Sequence, residues 1–174
     1  LLGEDRYLDA ASRVASALSD DRLAADDSHD VFGGNAGAVL GLLAHWRATG
    51  DRDSLDLAVS AGERLRRGAV DDDGPVWPNQ HHDRWLTGFA HGSAGIAYAL
   101  ARLGDASGDS RFRETAVAAV RREDRAYDSS VANWRDRRPD GEAFFDGWCT
   151  GRTGIGLARL GAYTRTGHRA FGSR

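Results

Sequence analysis

The apolar positions along the chain fall into two alternating kinds of run. One kind is apolar on nearly every side, as in Ala38, Val39, Leu40, Leu42 and Leu43, and again in Ile96, Ala97, Tyr98, Ala99 and Leu100. A helix without a polar face predicts burial among other elements. The other kind is striped. Leu55, Ala58, Val59, Gly62 and Leu65 recur at i, i+3 and i+4 spacing, with Asp56, Glu63, Arg64 and Arg66 between them. That period predicts a helix with one face on the core and one on solvent. An inner apolar helix followed by an outer amphipathic one is a helical hairpin.

The hairpin recurs. "DVFGGNAGAVLGLL" from Asp30, "GFAHGSAGIAYAL" from Gly88 and "GWCTGRTGIGLARL" from Gly147 share a glycine pair: Gly34 and Gly37, Gly92 and Gly95, Gly151 and Gly154. The first glycines of the pairs lie 58 and 59 residues apart. A second mark repeats with the same offsets in "TGDRDSLDLA", "SGDSRFRETA" and "TGHRAF", at Gly50, Gly108 and Gly167, and "GEDRYLDAASRV" at Gly3 opens the chain like a fourth copy. Asp51 or Asp53, and Asp109 or Ser110, are expected helix N-caps. Gly50, Gly104 and Gly167 are expected C-caps. Repeated hairpins of this length stack into a solenoid or ring. The fold class expected is all-α: helical-hairpin repeats forming part of an α/α toroid. Residues 1–174 are read as one partial domain of roughly three hairpins, cut at both ends. The linkers "DDDGPVWPNQHHDRW" and "SSVANWRDRRPDGEAFFDGW" are expected to be long loops, ordered by their tryptophans.

Composition removes some classes of function. The net charge is −3 and all 23 basic residues are arginine, with no basic tract of the kind that tracks nucleic acid or a membrane surface. No apolar stretch reaches the ~18 residues of a membrane span. Cys149 is the one cysteine, so no disulfide can form within the chain and a cytoplasmic setting is expected.

Candidate chemistry sits where the repeats disagree. Glycines before an inner helix let the backbone turn tightly and approach a ligand. In the shared frame, copy one places Asp30 four residues before the glycine, copy two places His91 one before it, and copy three places Cys149 two before it. Around an axis, the three turns would aim a carboxylate, an imidazole and a thiol at one centre. A thiol and an imidazole can bind zinc, and zinc converts a thiol to the nucleophilic thiolate. His91 could instead act as general acid or base, oriented by Asp30. The plainer alternatives are a packed cysteine, a surface or hydrogen-bonded loop histidine, and an N-cap or Asx turn at Asp30. His29, His81 and His82 read as loop residues, Tyr98 as packing, and His168 lies in the outer-helix mark rather than in a turn.

At these residues the chain resembles the lanthionine synthetase C-like (LanC-like) cyclases, and most of all the cyclase half of the class II bifunctional synthetases, the LanM type. The matching stretches are "HDVFGGNAGAVLGLLA", "LTGFAHGSAGIAYALARLG", "REDRAYDSSVANWRDRRP" and "WCTGRTGIGLARL". The resemblance implies an α/α toroid of about seven hairpins. It implies thioether formation by addition of a peptide cysteine thiol to dehydroalanine or dehydrobutyrine. It implies zinc as cofactor, with Cys149 as the first zinc cysteine, His91 as the catalytic histidine and Asp30 as the aspartate that assists it. The partners implied are a precursor peptide and the remainder of a synthetase.

Several positions depart from the family pattern. The other two zinc ligands belong to a later Cys-His-Gly turn that this chain lacks. Phe145 stands where an arginine is common, and Thr150 where the bifunctional relatives often carry histidine. The functional expectation is therefore a fragment of a zinc-dependent lanthipeptide cyclase, weak or inactive alone. The alternative is a non-catalytic helical module that binds peptide or completes a toroid with a partner chain. A glycan-processing toroid is more distant, because Asp30 has no second carboxylate in the equivalent turns.

Overall fold

The computed structural model describes residues 5–80, 84–141 and 143–172. His81 and His82 lie outside the described residues. The described residues form seven α-helices, with short ladders after α4 and after α6: α1 (Asp5–Ala17), α2 (Asp20–Ala25), α3 (Asn35–Thr49), α4 (Arg52–Gly68), α5 (Ser93–Ser107), α6 (Ser110–Glu123) and α7 (Arg152–Thr166). The all-α expectation holds. α3 with α4 and α5 with α6 are the hairpins, and α7 is followed by a 3-10 turn at Arg169–Phe171. The apolar helices α3, α5 and α7 pack side by side in that order, with α4 and α6 outside them. One core cluster spans the two hairpins, including Leu42, Leu43, Leu65, Leu100, Leu103 and Phe112.

The repeat is carried by caps. α3, α5 and α7 start from Gly34, Gly92 and Gly151, and end at Gly50, Gly108 and Gly167, each left-handed with φ of 76°, 77° and 64°. Gly108, not Gly104, is the C-cap of α5; Gly104 lies inside the helix. A Cβ there would sit 3.1 Å from the amide nitrogen of Arg113 and 3.2 Å from the carbonyl of Asp109, so its glycine serves the close approach of α6. Asp51 rather than Asp53 caps α4, accepting from Ser54 N at 3.2 Å. Asp109 rather than Ser110 caps α6, accepting from Arg111 N at 3.0 Å. His168 holds the same frame position and accepts from Ala170 N at 3.3 Å, which explains a histidine there without metal chemistry.

The linkers are partly ordered into two-residue antiparallel ladders: β1 (Val70–Asp71) with β2 (Pro75–Val76), β3 (Pro78–Asn79) with β4 (Arg84–Trp85), and β5 (Tyr127–Asp128) with β6 (Asn133–Trp134). Such short ladders are marginal alone. Tryptophans secure them. Trp77 is buried and donates to Leu65 O at 2.7 Å, and Trp85 donates to Asp72 while lying beneath the guanidiniums of Arg122 and Arg137.

The repeat frame also exposes substitutions inside the core. Leu103 and Phe112 of the second hairpin, both fully buried, correspond to His45 and Ser54 in the first. Leu65 and Leu100, at the junction of the first two hairpins, correspond to Glu123 and Arg159 at the next one, and all four are buried. Polar groups at such positions persist only when they are paired.

Candidate functional site

The three glycine turns meet edge to edge. Val31 N and Phe32 N of the first turn donate to Ala90 O of the second at 3.0 and 3.2 Å, and Ala90 N donates to Cys149 O of the third at 3.2 Å. Phe32, Ala90 and Cys149 occupy the same frame position. The turns are therefore stitched through equivalent residues. This contact requires glycine at position 88, where φ is +114° and a Cβ would overlap Cys149 O and lie 2.7 Å from Thr150 Cα. The second glycine of each pair works alike in all three copies. A Cβ on Gly37, Gly95 or Gly154 would collide with the carbonyl oxygen of Val31, Phe89 or Trp148, so the first helical turn seats on its own loop.

Two of the three candidate side chains touch. His91 Nδ1 and Asp30 Oδ2 are 2.7 Å apart, with the carboxylate side chain 13% exposed and the imidazole 36%. An ionised carboxylate can only accept, so Nδ1 carries the hydrogen and donates. Nε2 of the neutral ring is then left as a base. Asp30 also accepts from Gly33 N, three residues on, at 2.9 Å, so one carboxylate bonds both its own turn and the imidazole of the next. The Phe32 ring stands 5.3 Å from the imidazole. Asp30 and His91 line a cavity of about 30 Å³ with Ser28, His29, Trp77 and Ile96. Cys149 is exposed and free, and it does not line that cavity; its tie to His91 runs through the backbone of Ala90.

Each turn is held from below by a different polar anchor. Asn35 supports the first, donating from Nδ2 to the carbonyls of Leu23, Asp26 and Ser28. Asn133 supports the third: its Oδ1 accepts from Arg152 N at 2.9 Å and its Nδ2 donates to Phe145 O at 3.2 Å. Under the His91 turn the anchor is a carboxylate. Glu123, fully buried, accepts from Gly88 N and Ala94 N, both at 3.2 Å. Burial pushes its carboxyl above the ordinary range, and Arg159 opposes that shift. The sequence reading missed Glu123 and Arg159. The signal for them was available: both interrupt a frame in which the other copies carry leucine.

A second polar cluster lies apart from these turns. Ser54 Oγ donates to Asp51 at 2.6 Å, so His45 Nδ1, 2.8 Å away, must donate to Ser54. His45 Nε2 then accepts from Ser12 Oγ at 2.9 Å. The chain borders an open cleft of about 430 Å³ that includes Leu42 and Leu57.

The donor set for a metal is thin. Among the described residues no group of three or more histidine, cysteine, aspartate or glutamate side chains is placed to hold an ion. Zinc sites use three or four protein ligands. The described residues therefore do not form a zinc site by themselves. Among them, too, no helix is long and apolar enough to cross a membrane. A comparison with curated proteins finds no match to the chain. The glycine frame and the hairpin order agree with the match of a family model, described as lanthionine synthetase C-like protein, over residues 2–172, and the chain belongs to that family.

Proposed function

We propose that this chain carries the proton-transfer half of a lanthipeptide cyclase site of the LanM type. The observation that supports this most is the 2.7 Å contact between Asp30 and His91, made by two different turns. The reaction adds a peptide thiol across an activated alkene. A sulfur–carbon bond forms at the β-carbon of dehydroalanine or dehydrobutyrine. The thiol proton departs, and the α-carbon gains one. His91 Nε2 is the chain's proton-carrying atom for either event. Asp30 stabilises the imidazolium formed and holds the ring in one tautomer. The Phe32 ring lies on one side of the imidazole, 5.3 Å from it.

Cys149 is proposed as one ligand of a zinc ion whose other ligands come from outside the described residues, either from the remainder of a synthetase or from a partner chain. The chain is thus read as a partial cyclase domain, weak alone. The tests separate these claims. A dehydrated peptide with one cysteine, incubated with the chain, should lose its alkylatable thiol. His91→Asn should slow that loss by about 10²–10⁴-fold. Zinc measured on the purified chain should fall in Cys149→Ala. Equal zinc in both would remove Cys149 from the metal site. The incomplete donor set favours one second reading, a non-catalytic module that binds peptide. Under that reading the peptide binds, no thiol is lost, and His91→Asn changes nothing.

A further inference from the structure

We infer that Glu123, paired with Arg159, is the positioning residue of the His91 turn and ties that turn to the helix that follows Cys149. The inference rests on the proposed role of His91 for its meaning, but not for its geometry.

Glu123 ends α6, and Arg159 sits two turns into α7. They are 0% and 4% exposed, with Arg159 Nη2 3.4 Å from Glu123 Oε2. The other carboxylate oxygen receives Gly88 N and Ala94 N. Those two amides bracket the turn that carries His91, and Ala94 lies in the first turn of α5, where unpaired amides favour an anion. Arg159 is held in its own place. Its Nη1 lies 2.8 Å from Asp124 Oδ1, and its guanidinium stacks over Trp134 at 4.7 Å.

The repeat frame excludes simple packing as the reason. Glu123 stands 58 residues after Leu65, and Arg159 stands 59 after Leu100. Both leucines are fully buried in the main core, so this junction accepts apolar residues in the preceding copy. A buried ion pair is seldom more stable than the leucines it replaces. The other two turns are held by neutral asparagines, so a neutral anchor also suffices to shape such a turn. What the carboxylate adds is two amides bound to one oxygen while the other oxygen faces α7. α7 leaves the turn that bears Cys149. The pair therefore sets the spacing between imidazole and thiol independently of the Ala90–Cys149 backbone bond.

The test uses the whole chain, without metal or peptide. Nitrogen chemical shifts of the His91 ring, read above its titration range, report the share of the Nδ1–H tautomer bound to Asp30. Amide exchange at Gly88 and Ala94 reports the anchor, exchange at Gly37 is the control from the first turn, and a urea midpoint reports stability. Glu123→Gln should speed exchange at Gly88 and Ala94 by about tenfold or more, lower the Nδ1–H share, and leave Gly37 unchanged. Restoring the leucine pair with Glu123→Leu plus Arg159→Leu should give a folded chain with the same loss of tautomer and amide protection. Wild-type tautomer and exchange in both variants would overturn the proposal. So would a change at Gly37 equal to that at Gly88, since the role would then be stability alone. A chain with no zinc and no cyclisation would leave these readouts intact, so the two proposals can fail separately.

Discussion

At the scale of single residues, His91 shows how a turn becomes a site. Its backbone lies in a glycine frame shared with two other turns, yet its imidazole is defined by Asp30, 61 positions away in sequence. Asp30→Asn should therefore release the tautomer while leaving the fold intact, since Gly33 N can still bond to the amide oxygen. A lowered Nδ1–H share with an unchanged urea midpoint is the expected result. Gly88 leaves no room for a side chain. Alanine there would need φ near +114° and would press on the backbone of Cys149 and Thr150. Gly88→Ala should cost about 2–4 kcal/mol in chemical denaturation, combining strain with displacement of the neighbouring turn. His29 predicts a pH effect. Burial pulls its pKa below the usual histidine value, against the attraction of Asp26, Asp27 and Asp30. The unfolded chain then binds this proton more readily than the folded one. His29 should therefore reduce stability as pH falls below about 6.5, and stability should recover as pH rises through that window. His29→Gln should flatten the urea midpoint between about pH 5 and pH 7.

At the scale of elements, each hairpin is delimited by residues whose chemistry is local. Glycine closes the inner helix in the left-handed conformation, and a side chain one residue later caps the outer helix. That logic was legible from the marks at Gly50, Gly108 and Gly167. It slipped at Gly104, where close packing against α6, rather than a helix end, calls for glycine. The first hairpin differs inside. His45 and Ser54 replace a leucine–phenylalanine pair, and a cleft of about 430 Å³ opens beside them. Refilling it with His45→Leu plus Ser54→Phe should raise stability by about 0.5–2 kcal/mol, since the Asp51 cap to Ser54 N uses only backbone. A fall in thermal midpoint instead would mean that the Ser12–His45–Ser54–Asp51 chain stabilises the hairpin more than its packing would.

At the scale of the whole molecule, position in the array decides what a given leucine contributes. Leu100, in the central helix α5, is fully buried in the main core. Leu160 of α7 is 59% exposed. Leu100→Ala should cost about 2–5 kcal/mol. Leu160→Ala should change stability by less than about 0.5 kcal/mol. The measurement is a pair of denaturation curves on the same chain. The local periodicity of the two helices does not foretell that difference, because it arises from which neighbours are present.

The division between chain and fold follows from range. Helix type, hairpin order, most cap positions to within a residue or two, and the divergence of the three turn residues depend on contacts within one repeat, so residue spacing carried them. The family resemblance rested on the same marks and agrees with the family match over residues 2–172. Three features needed the folded array. Asp30 meets His91 only because turn one docks on turn two. Cys149 is brought near through Ala90, with its thiol exposed and away from the small cavity. Glu123 and Arg159 interrupt a leucine frame in the sequence, but only the packing of α6 and α7 buries them against each other. Burial and pairing between repeats are long-range properties. They are determined by how surfaces stack, and no local pattern encodes the partner.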